Sequence, residues 1–154
     1  MLRKAVPEAR TLLVGGLDPS PNSVGQTELD SWIAGGLEYL GHLDDVRPAI
    51  SQAAVIVLPS YREGTPRSVL EGMAMGRAIV TTDAPGCRET VEVDVNGLLV
   101  PPRDTQALFA AMMSLVGKDR VIENMGRASR IIAEEKYEGK AVARDIMRLA
   151  GLIR

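Results

Sequence analysis

The chain has 154 residues, with 18 Lys+Arg against 20 Asp+Glu, a formal net charge of -2, 45% hydrophobic residues, 15 Gly and 9 Pro; a length of this order makes one domain, burying about two-thirds of the surface of its unfolded chain. A single cysteine (Cys87) and a single histidine (His42) exclude a disulfide scaffold and argue against a protein-ligated transition-metal site. Near-neutral charge and only five aromatics (Trp32, Tyr39, Tyr61, Phe109, Tyr137) argue against a nucleic-acid-binding face.

The chain opens on a polar stretch, Arg3 to Arg10, that is expected to be helical; Pro7, Glu8 and Arg10 interrupt any signal-peptide apolar core. Continuous apolar runs follow at Leu12-Leu13-Val14, Leu37 to Leu40, Val55-Ile56-Val57-Leu58, Ala78-Ile79-Val80 and Leu98-Leu99-Val100, separated by 14 to 22 residues. Continuous rather than alternating runs suit strands covered on both faces, and the spacing leaves room for a crossover helix each time. The expected class is therefore α/β, a doubly wound, Rossmann-like parallel sheet. Its connecting helices are predicted at Glu28 to Ala34, Asp45 to Ala53, Pro66 to Met75 and, as a short one, near Arg88 to Val91. Such domains ordinarily begin with a strand, so a helix leading into Leu12 predicts that an earlier strand is missing and the chain truncated.

After Val100 the pattern turns helical. Asp104 is expected to cap a helix with Leu108, Ala111, Met112 and Leu115 on its apolar face, ended by Gly117. Asp119 is expected to cap the next, with Ile122, Met125, Ser129 and Ile132 in register, and a last helix aligns Val142, Ile146 and Leu149. All three stripes are expected to be packing faces. No apolar run approaches the ~20 residues that span a bilayer, so a cytoplasmic protein is expected, with room for a peripheral membrane partner.

The stretch that carries chemistry runs from Leu58 to Glu71, Leu-Pro-Ser-Tyr-Arg-Glu-Gly-Thr-Pro-Arg-Ser-Val-Leu-Glu. It begins at the carboxyl end of a strand, the edge at which open α/β sheets bind ligands. Thr65 followed by Pro66 predicts a helix start, with the hydroxyl as cap and the proline in the first position. The N–H groups of Arg67, Ser68 and Val69 would then face out of a helix end suited to a phosphate. Glu63 and Glu71, eight positions apart, would repel a diphosphate but accept hydrogen bonds from sugar hydroxyls. Arg62 and Arg67 offer compensating charge.

These residues resemble the retaining glycosyltransferases of group 1. The family's E-x7-E signature matches Glu63 and Glu71, with Gly64 after the first acid. Leu70 to Gly76, the run Ile79-Val80-Thr81-Thr82-Asp83, the block Pro85 to Val91 and the block Asn96 to Pro101 are similar to the segments that follow it. Upstream, Val14-Gly15-Gly16 and Tyr39-Leu40-Gly41 fit the family's strand ends. The wording is most similar to members that build capsular, O-antigen or other lipid-linked polysaccharides.

The resemblance implies that residues 1–154 are one donor-binding domain, the C-terminal half of a GT-B fold. It implies that Glu71 grips the ribose, that Glu63 holds the transferred sugar near the reacting centre, and that Gly64, Thr65, Pro66, Arg67, Ser68 and Val69 touch sugar and diphosphate. Gly16, Leu40 and Gly41 would line the nucleotide. Asp83 and Glu89 are expected in capping or structural roles, His42 in a loop and Cys87 in packing. The implied reaction moves a sugar from a nucleoside diphosphate to a hydroxyl with retained configuration, without a metal or other cofactor. The family's phosphate-contacting Arg and Lys and its N-terminal acceptor domain have no counterpart here, so the chain alone is expected to be inactive. Three alternatives stand beside this reading: a sugar-nucleotide binding module without activity, a nucleotide-sugar epimerase of the same fold, and a dinucleotide oxidoreductase. The last needs a G-x-G-x-x-G turn, which Gly15-Gly16-Leu17-Asp18-Pro19 does not provide.

Overall fold

A proline sets the first boundary. Helix α1 covers only Leu2–Ala5, because Val6 precedes Pro7 and is pushed to extended backbone (φ -134°, ψ 85°); the helix does not run on to Arg10 as expected. The computed structural model describes residues 1–20 and 23–152, with Lys140, Ala141 and Asp145 described by their backbone alone. It divides into two units, Met1–Ala53 and Ala54–Arg154.

In the first unit, strands β1 (Leu12–Leu13) and β2 (Glu38–Tyr39) pair in parallel. Both are shorter than their apolar runs, since Val14 and Leu40 lead directly into a glycine turn in which the Gly15 N–H donates to the Gly41 carbonyl at 2.8 Å. Arg10 donates to both Glu38 oxygens (2.9 and 2.6 Å) and so holds that carboxyl below its usual range, although an exposed pair of this kind adds little stability. Helix α2 spans Gln26–Ala34 and buries Leu29. Helix α3 begins at Arg47 rather than Asp45 and ends at Gln52. Asp45 stays outside it, accepting from the Arg47 N–H at 3.0 Å, and Pro48 sits in its first turn.

The second unit is a parallel three-stranded sheet, β3 (Val55–Leu58), β4 (Ala78–Thr82) and β5 (Gly97–Val100), in the order β3-β4-β5. Val55 aligns with Ala78 and Ile79 with Gly97. The described strands therefore form two hydrogen-bonded sheets rather than one, with β1 and β2 paired only to each other among the described residues. The class is α/β and Rossmann-like, as expected.

Strand β4 is central and buried along its whole length. Its Ile79 enters a cluster with Val69 and Met73 of α4 (Arg67–Ala74) and with Ile132 and Ala133 of α6 (Asp119–Lys136). Ala78 and Val80 point to the other face, against Leu115 of α5 (Thr105–Leu115) and Met125 of α6. A sheet clad on both faces explains why its strands read as unbroken apolar runs. Helix α6 reaches both clusters.

The C-terminal helices follow the predicted pattern with two corrections. Asp104 caps α5 by accepting from the Ala107 N–H at 2.8 Å, and Gly117 follows in the left-handed region (φ 69°). Asp119 does not cap α6. It is the first helical residue, and Lys118 takes the cap position without a side-chain bond, so Asp119 acts only as a negative charge at the positive helix end. The second correction concerns α7 (Gly139–Leu149). Val142, Ile146 and Leu149 are exposed, at 40%, 60% and 91%, because the main contact of α7 is with α6 and leaves this stripe uncovered.

Where α6 crosses the exit of α4, Gly126 lies so close that a β-carbon would fall inside the Gly76 carbonyl group. The gain in helix propensity from alanine, about 1 kcal/mol, cannot offset a clash with backbone that has nowhere to move. Gly126→Ala is expected to destabilise the fold by about 1–2 kcal/mol, read as a lower urea midpoint with an unchanged m-value.

Candidate donor-binding site

The loop between β3 and α4 carries the predicted site, and three neighbouring segments fix it. Thr81 Oγ1 donates to the Leu58 carbonyl at 2.7 Å and Thr82 Oγ1 donates to the Ser60 carbonyl, so the end of β4 holds the path by which the chain leaves β3. The Glu63 N–H donates to the Pro85 carbonyl at 3.0 Å. Gly86, at φ 86°, packs against the Glu63 and Gly64 carbonyls with no room for a β-carbon; this position requires glycine both for its backbone and for its neighbours.

Glu63 is half-buried, and Ser60 Oγ donates to its Oε1 at 2.6 Å. One carboxylate oxygen is thereby oriented while the group keeps further lone pairs to accept from a ligand. Gly64, Thr65, Arg67 and Ser68 are exposed.

The helix start differs from expectation by one residue. Pro66 occupies the cap position in extended backbone (φ -71°, ψ 110°), α4 begins at Arg67, and no side chain caps it. Thr65 therefore does not compete for the helix donors. The Val69 N–H donates to the Pro66 carbonyl at 3.1 Å and its side chain is fully buried, so its amide is committed within the helix. The N–H groups of Arg67 and Ser68 have no protein acceptor among the described residues. Two free amides at a positive helix end make an anion-binding geometry. Glu71 lies one turn further, half-buried, while Val69, Gly72 and Met73 face the core.

Gly16, Leu40 and Gly41 all belong to the first unit. Gly41 takes a left-handed turn (φ 67°), and the Tyr39 hydroxyl donates to the Gly15 carbonyl at 2.8 Å. Gly16 and Leu40 are exposed. The conformational demand at these strand ends falls on Gly15 (φ 141°) and Gly41 rather than on Gly16.

The remaining singled-out residues have structural partners. Asp83 pairs with Arg88 at 2.8 Å, Glu89 Oε2 accepts from the Gly86 N–H at 2.7 Å, and Cys87 is fully buried. His42 is exposed, 3.5 Å from Asp44. Among the described residues no three His, Cys, Asp or Glu side chains gather as a metal-binding group, and no helix is long and apolar enough to cross a membrane.

Sequence reasoning missed the second layer of support. Asn96 is fully buried, accepting from the Glu92 N–H (2.7 Å) and donating to the Thr90 carbonyl (3.1 Å), and so shapes the loop before β5. Tyr137 donates to the Glu89 carbonyl at 2.8 Å; burial of its ring pushes its pKa up, which keeps the hydroxyl a donor. A surface depression of about 540 Å³ lies at the far end of α4, lined by Ala74, Met75, Gly76, Glu123, Arg127 and Arg130. Its cations are engaged already: Arg130 with Glu134 and the Ala74 carbonyl, Arg127 with Glu123.

Gly86→Ala is expected to cost about 3 kcal/mol, from left-handed strain plus overpacking. Thermal unfolding reads that loss, and fluorescence of Trp placed at Tyr61 would report whether the Glu63 loop moves with it.

Residues 1–118 match the model of the family described as Glycosyl transferases group 1. The chain is 31% identical over 142 residues to the N,N'-diacetylbacillosaminyl-diphospho-undecaprenol alpha-1,3-N-acetylgalactosaminyltransferase of Campylobacter jejuni, covering 92% of this chain and 37% of that protein. Among solved structures it superimposes on the sucrose-phosphate synthase of Thermosynechococcus elongatus with a TM-score of 0.83 at 27% identity, covering 95% of this chain and 39% of the other. It superimposes on HepE of Anabaena in complex with UDP with a TM-score of 0.85 at 22% identity, covering 99% and 44%. The chain thus spans less than half the length of each of these proteins.

Proposed function

This chain belongs to the group 1 glycosyl transferases, and on that footing we propose that it supplies the donor-binding part of an enzyme that transfers a sugar from a nucleoside diphosphate to a glycan hydroxyl with retained configuration. The observation that carries the reading is the uncapped start of α4, with two free amides between one oriented carboxylate and one half-buried carboxylate. A diphosphate accepts from the Arg67 and Ser68 N–H groups, and Gly64, Thr65 and Pro66 provide the close backbone wall beside it. Glu71 accepts from the ribose hydroxyls. Glu63, steadied by Ser60, accepts from hydroxyls of the transferred sugar and is the residue nearest the chemistry. Within the first unit, contact with the nucleoside is assigned to Gly16, Leu40 and Gly41.

In this reading the helix end stabilises the negative charge that builds on the departing diphosphate as the sugar–oxygen bond breaks. No metal ion has a part in it. The acceptor is held by a separate N-terminal domain; the share of its relatives' length that this chain spans, 37% of the Campylobacter transferase, supports that division. Residues 1–154 as one donor domain would then bind nucleotide without turning over. The Campylobacter relative is named for an N,N'-diacetylbacillosaminyl-diphospho-undecaprenol, which supports a lipid-linked glycan as acceptor and hence a cytoplasmic enzyme working against a membrane surface.

Calorimetry with UDP, GDP and ADP tests the assignment. One nucleotide should bind in preference to the others, and Glu71→Ala should weaken it by about 1–3 kcal/mol through lost hydrogen bonds to a charged acceptor. An unchanged affinity removes Glu71 from the ribose role. In the complete enzyme Glu63→Ala should depress turnover more than nucleotide affinity, and the opposite pattern in kcat and Kd would exchange the two glutamates.

A further inference from the structure

We propose that Tyr61 and Arg103 form a preorganised phosphate subsite at the carboxyl edge of the β3-β4-β5 sheet. Arg103 follows β5 in the turn Pro101–Asp104, where the Asp104 N–H faces the Pro101 carbonyl at 3.4 Å. Its backbone lies in the left-handed region, φ 62°. A turn with positive φ at its third residue ordinarily selects glycine, and a long side chain there is disfavoured by the clash of its β-carbon with the backbone. Folding alone would not choose arginine at this position.

The side chain is nevertheless placed. Its guanidinium carbon sits 5.0 Å from the centroid of the Tyr61 ring, within range of cation–π attraction. Tyr61 is 63% exposed and stands two residues before Glu63. The ring stands in the loop that follows β3 and the arginine in the turn that follows β5, and these two strands flank β4, so the pair joins the segments that leave either side of the central strand.

Arg103 also has no carboxylate within ion-pair distance among the described residues, unlike Arg10, Arg47, Arg88, Arg127 and Arg130. The adjacent Asp104 does not pair with it; that carboxylate accepts from the Ala107 N–H at 2.8 Å and caps α5. A guanidinium that rests one face on an aromatic ring keeps its edge donors free, and two parallel N–H groups match the oxygens of a phosphate. Holding the cation in place beforehand lowers the ordering cost of binding. The ligand is a phosphate carried on a sugar, either the donor's diphosphate or a phosphate of the acceptor; naming it a substrate group rests on the donor-site reading above.

The test measures binding of UDP, α-glucose 1-phosphate and uridine by calorimetry to the 154-residue chain and its variants. Arg103→Gly and Arg103→Asn both suit a left-handed turn and remove the charge, so melting temperatures should stay level or rise. Affinity for a phosphate probe should fall about tenfold in both, with Tyr61→Leu moving the same way and uridine unaffected. Loss with UDP assigns the subsite to the donor. Loss with glucose 1-phosphate alone assigns it to a phosphorylated sugar on the acceptor side. Unchanged affinity for both probes overturns the proposal, as does a wild-type chain that binds neither, or a loss that only tracks a falling melting temperature. If Glu71→Ala weakens UDP while the Arg103 variants change nothing, the donor reading stands and the subsite falls. If the Arg103 variants lose phosphate affinity while Glu71→Ala has no effect, the outcomes are reversed.

Discussion

The buried end of β4 is the constraint on which the site depends. Its alternating residues are held in two apolar clusters, one per face, so the strand has no freedom to slide without exposing a whole face. From that fixed position Thr81 and Thr82 donate to the Leu58 and Ser60 carbonyls, and the Asp83 N–H donates to the Val100 carbonyl at 2.8 Å. The exits of β3 and β5 are thereby tied to one rigid strand end. A loop that would otherwise sample many conformations presents Glu63 in a single place. Hydrophobic burial in the core is converted into positional precision at the edge.

The same edge leaves one local rule unfilled. Helix starts usually receive a serine, threonine or aspartate cap, and α5 does, from Asp104. Helix α4 has Pro66 at the cap position and Thr65 one residue too early to serve. Proline has no N–H to leave unsatisfied and already favours the extended entry, so the chain turns into the helix while Arg67 and Ser68 keep their donors open. Local consistency fails most informatively where a ligand supplies the missing partner.

How much of this was legible in the sequence differs by kind of signal. The strands of the second unit showed as unbroken apolar runs because both faces of the sheet are clad, and β3 is bounded as its run suggested. Asp104 read as a cap because its carboxylate meets an amide three residues away, a purely local relation. The failures were of two sorts. Thr65 and Asp119 each fit a cap by composition, and the true start was decided elsewhere, by the fixed geometry of Pro66 and by the turn after Gly117. The stripe on α7 has the right period for a packing face, but periodicity says which residues share a side and nothing about what lies opposite. Contacts between distant segments, such as Gly86 against Glu63 or Tyr137 on the Glu89 carbonyl, leave no periodic trace at all.

Charge at the carboxyl edge sorts into committed and uncommitted groups, and that sorting decides what the edge can hold. Asp83 is paired with Arg88, the Glu89 carboxylate accepts from the Gly86 amide, and the Asp104 carboxylate accepts from the first turn of α5. Ser60 occupies only one oxygen of Glu63. On the cationic side Arg62, Arg67 and Arg103 enter no ion pair among the described residues, and the two amides of α4 add their partial positive charge. A chain with a formal charge of -2 thus keeps unpaired guanidinium groups at this edge, beside acids whose oxygens are largely engaged within the fold. An anion that approaches there meets unpaired guanidinium donors, and the oxygen of Glu63 that Ser60 does not engage remains open to a hydrogen-bond donor.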